Sequence, residues 1–204
     1  AADFGATGVL VTEWGDNGHL QPPTVMLPAL TYAASVAWCR AANEGQDTAA
    51  ALDTVVLPDV AGRAGGALLE AGEVYGRTGV IQPNGSALHD AVAGGGLGGF
   101  GEPTAEALAG IEATLAEADG ALAAARFVDA DGPIAQRELR QAVALARHGA
   151  RRLARRHGLP APDVAVLDAE LDGLRQEQAA CWNASRGFCT QIADSSTNNA
   201  TPDS

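Results

Sequence analysis

The chain has 204 residues, 47% of them hydrophobic. That is enough for a sizeable core but too little for a complete (β/α)8 barrel, which typically needs about 250 residues. Thirteen basic residues against 25 acidic ones give a net charge of −12, which excludes a general attraction to nucleic acid or to an anionic membrane surface.

No apolar run reaches the roughly 18 residues of a membrane span. The three cysteines (Cys39, Cys181, Cys189) lack CxxC spacing, so neither a disulfide framework nor a zinc knuckle is expected. Reduced structural thiols, and with them a cytoplasmic setting, are the default.

Residues Gly8 to Thr12 (Gly-Val-Leu-Val-Thr) are a short apolar run rich in β-branched side chains, the pattern of a strand buried on both faces of a parallel sheet. It passes directly into Glu13, Trp14, Gly15, Asp16, Asn17, Gly18 and His19, polar and aromatic groups on a backbone loosened by glycine. Pro22, Pro23 and Pro28 then lead into Ala29 to Trp38, where Leu30, Ala33, Ala34, Ala37 and Trp38 recur at helical spacing. Strand, loop and helix make one β/α unit, residues 1–45. The opening Ala-Ala-Asp-Phe-Gly and a single methionine, Met26, lead to the expectation that the chain is the C-terminal portion of a longer protein. A helical connecting segment, 46–93, follows, with one amphipathic stretch from Thr48 to Leu57 stopped by Pro58 and another helix near Gly65 to Tyr75.

The tract Gly94-Gly95-Gly96-Leu97-Gly98-Gly99 reads as a flexible joint; it has neither a preceding strand nor the signature of a phosphate loop. Beyond it three apolar seams are legible. Leu108, Ile111, Leu115, Ala118, Leu122 and Ala125 form the first; Leu139, Val143, Ala146, Ala150 and Leu153 the second; Val164, Leu167, Leu171, Leu174, Gln178 and Cys181 the third. The connections, Asp131-Gly132-Pro133 and Gly158-Leu159-Pro160-Ala161-Pro162, are short and punctuated, so an antiparallel three-helix bundle is expected over 102–190, followed by a disordered tail over 195–204.

Eight arginines fall between Arg126 and Arg156 against three acids, but the next helix brings Asp163, Asp168, Glu170, Asp172 and Glu177, which as an antiparallel neighbour can neutralise the row. The histidines His19, His89, His148 and His157 stand far apart and outside any metal-ligand spacing, with His148 and His157 read as surface or last-turn residues. No nucleophile elbow is present, so no catalytic residue is assigned, and no metal or cofactor.

The Glu13–His19 cluster is the candidate site. An indole two residues before a carboxylate suits a carbohydrate subsite: Trp14 offers a face for the apolar side of a sugar ring and Asp16 accepts hydroxyl protons, with Glu13 and His19 as further contributors. The plainer alternative puts Trp14 in a core and has Asp16 cap the next segment.

Val11-Thr12-Glu13-Trp14-Gly15-Asp16-Asn17-Gly18-His19-Leu20-Gln21, with Leu27-Pro28 and Ala33-Ala34-Ser35-Val36-Ala37-Trp38, resembles the last barrel strand and helix of bacterial glycoside hydrolase family 20, the β-N-acetylhexosaminidases. Asn84-Gly85-Ser86-Ala87-Leu88, Arg137-Glu138-Leu139-Arg140 and Trp182-Asn183-Ala184-Ser185-Arg186-Gly187 are similar to that family's helical extension. The resemblance implies an exo-acting hydrolase that removes terminal N-acetylhexosamine, using the substrate's own acetamido oxygen as nucleophile. It also implies that Trp14 and Asp16 contact the terminal sugar, Asp standing where many members have Glu. The family's Asp–Glu pair, which supplies the general acid and orients the acetamido group, has no counterpart here, and Glu112, Glu117 and Asp119 lie on a helix of the extension.

The fold expected is therefore mainly α: the last β/α unit of a (β/α)8 barrel followed by a helical C-terminal extension with an antiparallel three-helix bundle. The function expected is the sugar-binding fragment of a hexosaminidase-like hydrolase, inactive alone, with an N-acetylhexosamine-containing glycan as partner and neither nucleic acid nor membrane. A non-catalytic helical interaction module, with Glu102 to Trp182 as its working part, is the competing reading. Oligomeric state is left open.

Overall fold

A computed structural model describes residues 4–12, 21–83, 85–94 and 99–197, with side chains as far as 184. It is mainly α: α1 (Leu27–Trp38), α2 (Arg40–Asn43), α3 (Thr48–Ala51), α4 (Ala64–Glu73), α5 (Ala87–Ala93), α6 (Ala105–Ala124), α7 (Gly132–Arg156) and α8 (Val164–Thr197). Local chemistry sets many of the boundaries. Asp47, Ser86 and Thr104 accept the backbone N–H groups of Ala50, Leu88 and Ala107 and so cap α3, α5 and α6. Pro28 and Pro133 occupy first turns, where a missing N–H costs no helical bond. The stretch from Thr48 keeps winding through Val56 as a single wide turn and stops before Pro58, as its spacing predicts.

The seams read in the first two long helices are where the core lies. Leu108, Ile111, Leu115, Ala118, Leu122 and Ala125 are all buried, as are Leu139, Val143, Ala150 and Leu153. Polar bonds fix the register. Gln136 Nε2 donates to the Leu122 carbonyl at 2.7 Å and Arg140 Nε to Asp119 at 2.7 Å, while Arg151 Nε reaches Glu112 at 2.8 Å, so α6 runs antiparallel to α7. On another side of α7, Arg137 reaches Glu177 at 2.8 Å, Gln141 the Leu174 carbonyl at 2.8 Å and Arg151 Glu170 at 2.6 Å, so α8 is antiparallel too.

These three helices are not closed on themselves. Helix α7 also packs on α5, and α6 on α4, so Leu57, Ala64, Leu68, Val74, Leu88 and Ala91 join the same core as the long helices. The α5–α7 crossing is close. A Cβ on Gly149 would overlap the Leu88 carbonyl oxygen, which explains a glycine in the middle of a long helix. Residues 95–98 of the glycine tract lie outside the described residues; the helices on either side of them share one core.

Asp59 joins the two halves. Its buried carboxylate accepts the backbone N–H groups of Ala61 (2.9 Å), Arg63 (2.8 Å), Ala64 (3.1 Å) and Arg126 (2.6 Å). One carboxylate thus serves the start of α4 and the chain leaving α6. Burial alone would raise the carboxyl, but the four donors outweigh it and hold Asp59 below the ordinary aspartate range.

Three expectations need correction. The run Gly8–Thr12 makes no strand: Val9 and Leu10 are 60% and 87% exposed, whereas a strand buried on both faces needs neighbouring strands on either side. Helix α1 forms where its spacing places it, yet none of its residues is buried and Trp38 is 89% exposed. The tail expected from Ser195 begins inside α8, which extends to Thr197; residues 198–204 lie outside the described residues.

Replacing Asp59 by Ala orphans four N–H groups and should cost roughly 2–4 kcal/mol in urea unfolding at pH 7. Because the folded carboxyl is lowered, its contribution is present above the unfolded value near pH ~3.9 and disappears as pH falls through the folded one. Asp59→Asn should therefore flatten that part of the stability profile. Gly149→Ala should cost about 1–3 kcal/mol by forcing α5 and α7 apart, and equal urea midpoints for variant and parent would show that the crossing is loose.

Candidate functional site

Glu13, Trp14, Asp16 and His19, the residues the sequence singles out, lie outside the described residues. The structure describes the segment that follows them in sequence, from Gln21 onward. Pro22 is buried, and Pro23–Met26 form a short tight turn that packs on α7. There Thr24 Oγ1 donates to Glu138 Oε2 at 3.0 Å. Glu138 is only 4% exposed, unusual for a carboxylate, and sequence reading gave it no role of its own.

Glu138 belongs to a buried polar stripe on α7. Gln141 follows one turn later, bonded to the Leu174 carbonyl and to Gln178, and His148 two turns beyond that. His148 corrects its sequence assignment: it is fully buried, not a surface residue, with Nδ1 2.8 Å from Glu170 Oε2 and Nε2 without a hydrogen-bond partner. The signal was present in the spacing of 138, 141 and 148, which repeats the step of an apolar seam with polar residue types. His157, by contrast, sits at the C-cap of α7 and is exposed, as its position implies.

Two concavities lie near this stripe. The first, about 380 Å³, runs along α7 beside Arg137, Arg140 and Arg147, each of them close to an acid: Arg137 pairs with Glu177, Arg140 with Asp119, and Arg147 lies 3.6 Å from Glu112. With Arg151 bound to Glu112 and Glu170 and Arg156 to Asp90, much of the arginine row is neutralised from within. The sequence pointed to α8 alone as the source of acids; α5 and α6 contribute as well, a fact of tertiary packing. The second concavity, a cleft of about 590 Å³, begins at Gln21 and Val25 and passes between α1, α4, α5 and α7.

Two of the carboxylates paired with arginines are held away from proton donation. The Arg151 hydrogen bond, assisted by Arg147, holds Glu112 below the usual glutamate range, and Arg137 does the same to Glu177. A general acid needs the opposite shift. Burial, reinforced by Glu177, pushes the Cys181 thiol up, which suits a structural thiol and not a nucleophile. Among the described residues no cluster of His, Cys, Asp or Glu could hold a metal ion, and no helix is long and apolar enough to cross a membrane. No family model, curated protein or solved structure matches this chain.

If Glu138 anchors the turn Pro23–Met26, Glu138→Ala should raise amide hydrogen exchange of Val25 and Met26 about tenfold or more, the equivalent of roughly 1–3 kcal/mol for a lost hydrogen bond to a charged group. Unchanged exchange at Val25 would show that the turn holds itself in place.

Proposed function

We propose that this chain is the sugar-contacting, C-terminal part of a glycoside hydrolase of the family 20 type, acting on glycans that end in N-acetylhexosamine. The observation that carries the proposal is the contiguous segment from Val11 to Trp38: an apolar run, an indole and carboxylate two residues apart, and a helix. Trp14 would stack on the ring and Asp16 would bond hydroxyls, while Glu13 and His19 would complete the rim. Gly8–Thr12 would be the last strand of a barrel whose remaining strands come from elsewhere, and the three long helices would form its bundle extension.

The front of the chain supports this reading by being unfinished. Val9, Leu10, Leu30, Tyr32 and Trp38 are exposed on an apolar run and on a helix with no buried member, which is what a β/α unit leaves uncovered when its neighbours are absent. The Thr24–Glu138 bond ties the turn that follows the loop in sequence to α7. The acid and the acetamido-orienting group would belong to an earlier strand, as the resemblance implies; Glu112, Asp119, Glu170 and Glu177 are committed to arginines.

A second reading, a non-catalytic helical interaction module, draws on one observation: the shared core takes its fully buried members from Leu57 onward, with Leu27 of the front packed at its edge. Activity separates the two. The isolated chain should not hydrolyse a chromogenic N-acetylglucosaminide. Joined to a barrel bearing the acid pair, it should support turnover, and there Asp16→Ala should raise KM and lower kcat/KM by roughly 2–4 kcal/mol, the worth of a charged hydrogen-bond partner. Hydrolysis by the isolated chain, or an unchanged kcat/KM in Asp16→Ala, would overturn the assignment.

A further inference from the structure

The cleft between α1, α4, α5 and α7 has a chemistry of its own, carried by described residues from Gln21 onward. Its walls are apolar: Val25 and Pro28 from the front, Leu68 from α4, Leu88 from α5, Leu139 and Val143 from α7. Small residues, among them Gly72, Ala142 and Ala146, line it beside these. At about 590 Å³ it lies within the range of pockets that enclose one small molecule. A concavity walled by four helices suits a compact ligand better than the flat face of a macromolecule.

Charge narrows the class. The chain has 13 arginines, yet none is among the described lining residues; Glu73 is the lining's carboxylate and His89 its imidazole. An anionic ligand would be buried with no guanidinium to offset its desolvation, beside a carboxylate that repels it. Tyr32 and Tyr75 are half-exposed where the cleft opens, and the face of a phenol ring attracts a cation.

We infer that this cleft binds an apolar organic cation, its hydrophobic body against Leu88 and Val143 and its ammonium group towards Glu73 and the two tyrosines.

The test uses two fluorescent probes of similar size and opposite charge at pH 8, where an imidazole is ordinarily neutral. Berberine, an aromatic quaternary cation, should bind one to one with a Kd on the order of micromolar, and 8-anilinonaphthalene-1-sulfonate at least about tenfold more weakly. Glu73→Gln, an exposed position, should weaken berberine about threefold or more while leaving the sulfonate unchanged or tighter. Ala142→Trp, which fills the cleft from a half-buried site, should weaken berberine about tenfold or more with the helical circular dichroism retained; should it fail to fold, Ala146→Phe fills the same space. Equal affinity for both probes, berberine binding that survives both filled variants, or no binding at about 1 mM would overturn the inference. So would a wild-type dimer in sedimentation that Ala142→Trp splits, because a second copy would then occupy the cleft.

Discussion

Four backbone N–H groups converge on the carboxylate of Asp59, and the arrangement of the helices follows from that convergence. Ala61, Arg63 and Ala64 lead into α4, while Arg126 has just left α6. The flanking backbone continues the tie: Val60 donates to the Arg126 carbonyl at 3.1 Å and Val128 to the Pro58 carbonyl at 3.0 Å. With the two ends held, α4 lies along α6, and the row Leu108–Ala125 can bury one flank on Ala64 and Leu68 and the other on α7. An apolar contact alone would not set this register, because dispersion and the hydrophobic effect are non-directional. A buried carboxylate with four donors has one satisfactory geometry.

Helix α7 is the second organising element, and it works by dividing its surface. One stripe, Leu139–Leu153, enters the core with α5 and α6; a second, the polar Glu138, Gln141 and His148, meets the front turn and α8; the arginines lie at the edges and reach acids on three neighbours. This division couples the helical part to the loop-bearing front. Glu138 on the polar stripe holds Thr24, so the turn Pro23–Met26 is tied to the same helix that centres the core. The Arg137-Glu138-Leu139-Arg140 motif thereby acquires a physical content: two arginines at the rim, a leucine in the core, and a buried glutamate between them that faces the front.

The front itself shows the limit of reading elements from local pattern. Val9, Leu10 and Val11 have the composition of a buried strand, and Leu30 to Trp38 the spacing of a packed helix. A helix closes its own backbone hydrogen bonds, so α1 forms although none of its residues is buried. A strand cannot, since its N–H and C=O groups need adjacent chain, and Gly8–Thr12 makes no ladder. The same segment therefore follows its sequence where the structure is local and departs from it where partners are required.

Periodicity determined the long helices and the seams of α6 and α7, because a 3.6-residue repeat of Leu, Ile and Ala lines up on one face; in the third seam Leu167, Leu171 and Cys181 are buried while Val164 is exposed. Caps and prolines determined where many helices begin. The pairing of the arginine row with acids was legible too, while the candidate site stays a sequence pattern, Trp14 two residues before Asp16, outside the described residues. Tertiary structure alone decided that Asp59 bridges residues 67 apart in sequence, that Asp90, Glu112 and Asp119 join Glu170 and Glu177 against the arginines, that His148 is buried, and that a cleft lies between four helices. Spacing along one helix says which residues share a face; which distant segment meets that face depends on where the whole chain satisfies its buried polar groups, and no local repeat encodes that.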